Sequence, residues 1–328
     1  MIIVTGGAGF IGSNLVNALV KRSEEVVLCD FSHAILKNKY IEKSHKIKFI
    51  EPNTLITFLL ENPVKLVYHL GAISSTTFSN GNQLWLNNTI FTMNIWRICC
   101  IKEIKMIYAS SAATYGDGKN GFYDTTNLDY LNNLKPLNLY GWSKHQVDIR
   151  ICYSYEKLRT FPPQWIGIKF FNVFGPNEEH KSDMISVALK TFNQILEKKT
   201  TKLFKSANSN YEDGEQRRDF IYVKDCIKIL LWFGDNNKLN GLFNVGTGFS
   251  RTFYDLVSSV YRVMNKNINL KYIDMPKSIE NQYQYDTKAE ISNLHKSGYT
   301  EKFFSLEEGV HDYIHSYLLK KKNAISKY

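Results

Sequence analysis

Tyr140 and Lys144 stand four positions apart, a spacing that places two side chains on one face of a helix, a turn from each other. The pair suits proton transfer to or from an alcohol. A phenol with a pKa of about 10 is a poor base at neutral pH, but a cationic neighbour favours the phenolate. Spacing alone does not single this pair out, because Tyr115/Lys119, Tyr153/Lys157 and Tyr317/Lys321 repeat it in a chain with 20 tyrosines. Context does. Tyr140 lies in Pro136-Leu137-Asn138-Leu139-Tyr140-Gly141-Trp142-Ser143-Lys144, a loop running into a helix, 29 residues after Ser111. Ser111 follows the apolar run Met106–Ala109 and offers a hydroxyl for a reacting oxygen. Its neighbour Ser110 reads as turn chemistry.

A second cluster suits anion binding. Gly6-Gly7-Ala8-Gly9-Phe10-Ile11-Gly12 follows the apolar run Ile2–Thr5 and opens a segment with Ile11, Leu15, Val16, Leu19 and Val20 at helical spacing. Gly7, Gly9 and Gly12 supply GxGxxG in its required strand–turn–helix context. Such glycines let backbone amides reach a pyrophosphate, and the helix N-terminus adds partial positive charge. Asp30 ends the next apolar run, Val26–Cys29, 18 residues after Gly12, where it can accept from an adenosine ribose hydroxyl. A nicotinamide dinucleotide is therefore expected, and its positive ring would further favour a Tyr140 phenolate. Asp30 alone favours NAD; Lys37 and Lys39 in the next loop can neutralise a 2′-phosphate, which tips the expectation to NADP.

These groups need elements to hold them. Lys48–Ile50, Leu66–Leu70 and Met106–Ala109 read as further buried strands, with a helix over Leu84–Ile101 between the last two. Strands alternating with helices predict βαβ units and a parallel sheet covered on both faces. The carboxyl ends of such strands are where ligands bind. Beyond residue 160 the pattern loosens. Trp165–Phe171 reads as a strand, Asn172–Lys181 as a loop, and Ile185, Leu189, Phe192 and Leu196 as one helix face. Ser206–Gln216 reads as a loop, Asp219–Val223 and Leu242–Val245 as short strands, and Leu306–Leu319 as the last helix. The expected fold is α/β: a Rossmann-type doubly wound parallel sheet with a smaller C-terminal α/β lobe for substrate. The dinucleotide domain is expected over 1–170 with returning segments at about 215–247, and the substrate lobe over 171–214 and 248–328.

Composition bounds the alternatives. The 328 residues are 44% apolar and 22% charged, which excludes a disordered chain and fits one large or two intimate domains. The five cysteines show no metal-site spacing and read as buried thiols in a reducing compartment, so no metal is expected. Glycines follow Met1-Ile2-Ile3-Val4-Thr5 directly, with no leader pattern, and no apolar run reaches the roughly 18 residues of a membrane span. A soluble cytosolic protein is expected. The net charge of +10 admits nucleic acid as a partner, but no RNA-binding motif or basic–aromatic stripe accompanies it. Two anionic small molecules account for it better. Lys320-Lys321-Lys322 reads as a solvated helix end.

The glycine motif, Tyr68-His69-Leu70-Gly71-Ala72, Ser110-Ser111-Ala112-Ala113-Thr114-Tyr115-Gly116, Tyr140-Gly141-Trp142-Ser143-Lys144 and Asn172-Val173-Phe174-Gly175-Pro176 together resemble the extended short-chain dehydrogenase/reductases. Arg218–Asp225 and Asn244-Val245-Gly246-Thr247-Gly248 fit the same family, and the likeness runs to about residue 316. Within it, Ser74-Ser75-Thr76-Thr77, Pro136-Leu137-Asn138, Glu178, His180 and Lys181 after Gly175-Pro176, Leu203-Phe204, and Gly298-Tyr299 with Phe303 and Glu308-Gly309-Val310 resemble the ADP-glycero-manno-heptose 6-epimerases of lipopolysaccharide core synthesis.

That resemblance implies an isomerase that inverts C6 of a nucleotide-linked heptose by transient oxidation, with a tightly held nicotinamide cofactor. It implies Tyr140 as one proton-transfer group and Lys181 as a second. Lys144 would bind the nicotinamide ribose and lower the Tyr140 pKa, and Ser111 would bind the reacting oxygen. The cofactor set is Gly6, Gly9, Phe10, Ile11, Gly12, Asp30, Lys37, Asn88, Tyr140 and Lys144. The substrate set is Ser111, Asn172, His180, Lys181, Phe204, Arg218 and Tyr283. Arg218 suits a diphosphate through its fixed fork of donors. Tyr283 is expected near the diphosphate and Phe204 near the adenine. Two departures stand out: Lys169 and Gln282 occupy positions where arginine is expected. A homo-oligomer, a pentamer on the family pattern, is also implied. The nearest rival is a UDP-hexose 4-epimerase, which needs no second base at Lys181. A dehydratase would need acid–base residues where this chain has Ala112-Ala113. The most distant rival is a non-catalytic RNA-binding protein on the same fold.

Overall fold

The computed structural model describes residues 1–280 and 283–325, without the side chains of residues 37, 182, 183, 278, 279 and 323–325. Gln282 and the Lys37 side chain therefore lie outside what is described. The chain opens as β1 (Ile2–Thr5), α1 (Phe10–Lys21), β2 (Val26–Cys29), α2 (Ser32–Lys37), β3 (Ile47–Ile50), α3 (Leu55–Glu61) and β4 (Leu66–His69). The expected helix 84–101 is three pieces: α4 (Gly81–Leu84), a π-helical stretch over Trp85–Ile90, and α5 (Phe91–Ile101). Then come β5 (Lys105–Ser111), α6 (Leu128–Asn133), α7 (Leu139–Glu156) and β6 (Trp165–Phe170).

The later part is denser in elements than its pattern predicts. It holds β7 (Asn172–Phe174), α8 (Val187–Leu196), β8 (Thr201–Phe204), β9 (Arg217–Tyr222), α9 (Val223–Asp235), β10 (Gly241–Val245), β11 (Ser250–Thr252), α10 (Phe253–Val263) and β12 (Leu270–Ile273). It closes with α11 (Lys277–Glu280), α12 (Ser292–Lys296), α13 (Leu306–Asp312), a π-helical stretch over Tyr313–Leu318, and α14 (Leu319–Ile325).

Seven parallel strands form the main sheet in the order β10-β6-β5-β4-β1-β2-β3. The runs of Ile, Val, Leu and Phe explain it. β1, β2, β4, β6 and β10 are buried along their whole length, as a sheet covered on both faces requires. Alternate residues face different layers: Ile2 and Val4 pack under α1 and α9, whereas Ile3 joins α3, α5 and α7 on the other side. Of the returning segment 215–247, β10 enters this sheet but β9 does not. β9 lies between β7 (parallel) and β11 (antiparallel) in a separate three-stranded sheet, and β8 pairs with β12.

Strand order reverses at β1, whose neighbours are β2 and β4. Chain segments leave the carboxyl ends of β1 and β4 in opposite directions there and open a crevice. Gly6 and Gly71 stand back to back at this point: Gly6 has φ +64°, and a Cβ on it would lie 2.6 Å from the Gly71 Cα.

Candidate active site

A cavity of about 840 Å³ runs from the β1–α1 turn across the carboxyl ends of the strands to Phe253 and Tyr283. Gly6, Gly9, Phe10, Ile11, Gly12, Asp30, Ser111, Tyr140, Lys144, Asn172, His180, Lys181 and Tyr283 line it, so most of the sequence-derived candidates converge on one space.

At one end the backbone builds an anion site. A Cβ on Gly12 would lie 2.0 Å from the Gly6 carbonyl oxygen, so the helix can start this close to the strand only with glycine. The N-cap of α1 is Gly9, with no side chain to cap the first-turn amides, and those amides open on the cavity. The two Asp30 oxygens accept from the Ala8 and Phe31 amides at 2.9 Å each, which leaves further lone pairs for hydroxyls. Burial raises the Asp30 pKa against the pull of these amides. An uncapped helix start, a glycine cradle and a carboxylate at the end of β2 fit a dinucleotide.

At the reaction end, Asn138 caps α7 by accepting from the Gly141 amide at 2.8 Å, which starts the helix one residue before Tyr140. Lys144 follows one turn later, buried, its Nζ donating to the Ala109 carbonyl at 2.8 Å. Burial lowers its pKa to about 8, while Asp148 opposes the fall. The expected lowering of the Tyr140 pKa is not what this geometry gives. Burial raises it, Asp148 raises it further, and only a hydrogen bond from Ser111 lowers it. The physical reason is that packing on α7 removes much of the phenol's hydration while the Lys144 ammonium is turned to Ala109.

Asp148, a further turn along α7, sits in a fully buried polar cluster. Lys169 Nζ lies 2.6 Å from its Oδ2 and 2.7 Å from Thr114 Oγ1. The hydroxyls of Tyr108 and Ser110 donate to the same carboxylate at 3.0 and 2.7 Å. Lys169 is thus a structural ion-pair partner and reaches no ligand, and Ser110 belongs to this cluster, not to a turn.

Other expectations also change. Asn88 is buried behind the wall: it brackets Ile73, bonding both its amide and its carbonyl at 2.9 Å, and bonds Ser143 at 3.0 Å. It can shape the cavity but does not line it. Phe204 ends β8 away from the cavity. Arg218 is buried behind the lining, its guanidinium over the Tyr283 and Phe253 rings at 4.9 and 5.5 Å, with one donor on the Arg217 carbonyl. Lys321 is not merely solvated: it meets Glu179 at 3.0 Å and the Tyr40 hydroxyl at 2.8 Å.

Lys181 lies on a 3₁₀ turn over Glu179–Met184, with Nζ 5.0 Å from the Phe10 ring centre. Burial lowers its pKa; Glu178 opposes this and Lys190 adds to it. His180 is exposed on the turn; partial desolvation and Lys181 lower its pKa, and Asp30 lies close enough to oppose this. Lys190 and Phe253 also line the cavity. No motif points to either, because only the packing of α8 and α10 brings them there.

The sequence pattern of the NAD dependent epimerase/dehydratase family matches residues 2–246. This chain belongs to that family, and a nicotinamide cofactor belongs to its chemistry. It is 42% identical to an ADP-L-glycero-D-manno-heptose-6-epimerase of Fusobacterium nucleatum, over 98% of this chain and 99% of that one. It is 41% identical to the enzyme of the same name from Nitratidesulfovibrio vulgaris, over 97% and 98%. Among solved structures, the Helicobacter pylori ADP-L-glycero-D-manno-heptose-6-epimerase superposes with a TM-score of 0.77 at 27% identity, covering 96% of this chain and 95% of that one. A UDP-N-acetylglucosamine 4-epimerase from Methanobrevibacter ruminantium reaches 0.80 at 25% identity, over 97% and 98%.

Proposed function

We propose that this chain is a nucleotide-sugar epimerase that inverts C6 of ADP-glycero-manno-heptose, from D-glycero to L-glycero, for lipopolysaccharide core synthesis. The observation that carries this reading is the convergence of two proton-transfer groups from separate elements, Tyr140 of α7 and Lys181 of the turn before α8, on one cavity. Full-length relatives that bear the heptose epimerase name support the substrate.

A bound nicotinamide would supply reversible hydride transfer at C6. The residues manage the rest. The glycine turn and the α1 N-terminus would hold the pyrophosphate, Asp30 the adenosine ribose, and Lys144 the nicotinamide ribose. The C6 hydroxyl loses its proton as the 6-ketone forms, and the sugar then turns about its C5–C6 bond. Inversion requires both faces of C6 to be presented in turn, so the C6 oxygen has to be managed in two places. Tyr140, with Ser111 beside it, serves one orientation and Lys181 the other. Asn172, His180 and Tyr283 are placed for substrate contacts, and Arg218 acts through Tyr283 and Phe253. A protein that only binds would not need both proton-transfer groups.

The cofactor reading is NADP, supported by Lys37 and Lys39 following Asp30 in sequence; NAD binding tenfold tighter than NADP would overturn it. The reading carries with it a cytoplasmic location and a homo-oligomer, a pentamer on the family pattern, which sedimentation tests. Among the described residues no helix is long and apolar enough to cross a membrane. The decisive experiment is incubation with ADP-D-glycero-D-manno-heptose, followed by NMR of the C6 position. Inversion at C6 is expected. Unchanged heptose alongside conversion of UDP-glucose would replace this reading with a hexose 4-epimerase.

A further inference from the structure

The segment that carries His180 and Lys181 leaves β7 at Gly175 and rejoins regular structure at Ser186, the N-cap of α8. A segment of this kind has few contacts of its own and must be pinned if it is to present a side chain at a fixed place. Glu178 does the pinning. Its carboxylate accepts from the Gly175 amide at 3.3 Å, from the Ser186 amide at 2.6 Å and from the Ser186 hydroxyl at 2.7 Å. Its backbone carbonyl accepts from the Lys181 amide at 3.0 Å. One residue thus joins both ends of the segment and the amide of the lysine. Ser186 Oγ also accepts from the Leu189 amide, which continues the chain of bonds into α8. On the other side, Asn14 of α1 donates to the Pro176 carbonyl at 2.9 Å, and Asn177 donates to Ser13 Oγ at 3.2 Å. The segment is therefore tied to the helix that starts the dinucleotide site.

A fully buried carboxylate is retained only if it is bonded or faces a cation. Glu178 is bonded by the segment's own ends and lies near enough to Lys181 to favour its charge. Among the described residues, the other charged group acting on Lys181 from a packed element is Lys190 of α8; His180 is its neighbour on the segment, and α1 brings the Phe10 ring.

We propose that Glu178 is the positioning residue for Lys181: its carboxylate ties both ends of the segment and its carbonyl takes the Lys181 amide, so that the lysine is held at the cavity wall. This rests on the reading of Lys181 as the second proton-transfer group.

The consequence has a sign. Removing the Glu178 charge makes the ammonium less favourable, because among the described residues burial and Lys190 then remain without that opposing charge, so Lys181 should lose its proton at lower pH. In Glu178→Gln, the Lys181 side-chain signal, followed by ¹³C NMR and assigned by its absence in Lys181→Met, is expected to titrate about one pH unit lower. kcat should fall about 10- to 100-fold, with KM within about threefold of the parent, because substrate and cofactor contacts remain while the proton-transfer group is misplaced. Ser186→Ala keeps the charge and loses one tether, so a smaller loss of kcat with an unmoved Lys181 titration is expected. It also covers the case in which Glu178→Gln does not fold.

A Glu178→Gln protein with parental kcat and Lys181 titration overturns the proposal. So does a Ser186→Ala protein whose melting point falls while kcat stays at the parental value. Near-parental turnover in Lys181→Met overturns instead the reading on which the proposal rests, and the two failures are separable by that control.

Discussion

The two walls of the cavity are built on different principles. The wall made by β1, β5, α1 and α7 consists of side chains and amides on regular elements, each placed by helix or strand geometry. Tyr140, Lys144 and Asp148 succeed one another at one-turn intervals along α7, and Gly6 to Gly12 form one strand–helix turn. The opposite wall, from Gly175 to Ser186, has only a short 3₁₀ turn and is held by side chains: Glu178 bonds the Gly175 and Ser186 amides, Asn14 bonds the Pro176 carbonyl, and Lys321 pairs with the Glu179 carboxylate. A helix repeats its geometry through many equivalent hydrogen bonds, so losing one interaction moves little. A tethered segment depends on a few bonds that have no substitutes.

Tyr140→Phe and Lys181→Met should show the largest effect and treat the walls as equals. Each is expected to cut epimerisation by about 10²–10⁴-fold while folding normally, as removal of a positioned proton-transfer group does. Circular dichroism and C6 NMR check it. If Tyr140→Phe is slow but Lys181→Met is not, only the regular wall is catalytic.

Asp148→Asn probes the regular wall's buried support. Breaking its pair with Lys169 strands an ammonium in a site without water, so a loss of about 3–5 kcal/mol in unfolding free energy is expected. Urea denaturation measures it. A change below about 1 kcal/mol would mean that the cluster adjusts without its charge.

Lys144 supplies a pH signature. Its folded pKa, about 8, lies below its ordinary value of 10.5. Between those values the unfolded chain holds more protons, so this residue's contribution to stability rises with pH from about 8 to 10.5 and is lost as pH falls through 8. The parent should gain stability relative to Lys144→Met across that window. Parallel stability curves would show that the lysine is not desolvated.

Lys321→Ala should have the smallest effect. The pair with Glu179 is half exposed, so a few tenths of a kcal/mol, at most about 1, is expected in melting experiments. A larger loss, or a weaker hold on the cofactor, would make α14 a necessary strap for the less regular wall.

Much of the regular wall was legible because its signals are local. Apolar runs alternating with helical patterns, a GxGxxG turn after a strand and an i, i+4 pair where a loop runs into a helix each follow from a few neighbouring residues. The positions that misled were those where residue type suggested contact but the answer depended on distant packing. Arg218 was expected on a diphosphate, yet its guanidinium packs on Phe253 and Tyr283, and it is these rings that line the cavity. Lys169 was noted where arginine is expected, and Asp148, Tyr115 and Thr114 enclose it. Asn88 and Phe204 follow the same pattern.

By itself, the sequence determined the βαβ order, the dinucleotide turn at Gly6–Gly12, the acid of β2 at Asp30 and the Tyr140–Lys144 pair, because backbone geometry translates local spacing directly into shared faces. Only the tertiary structure decided that Lys181 reaches the same cavity as Tyr140, that Glu178 holds it there, and that burial raises the phenol and lowers both lysines. Those outcomes depend on which surfaces exclude water, and that is a property of the whole packed chain.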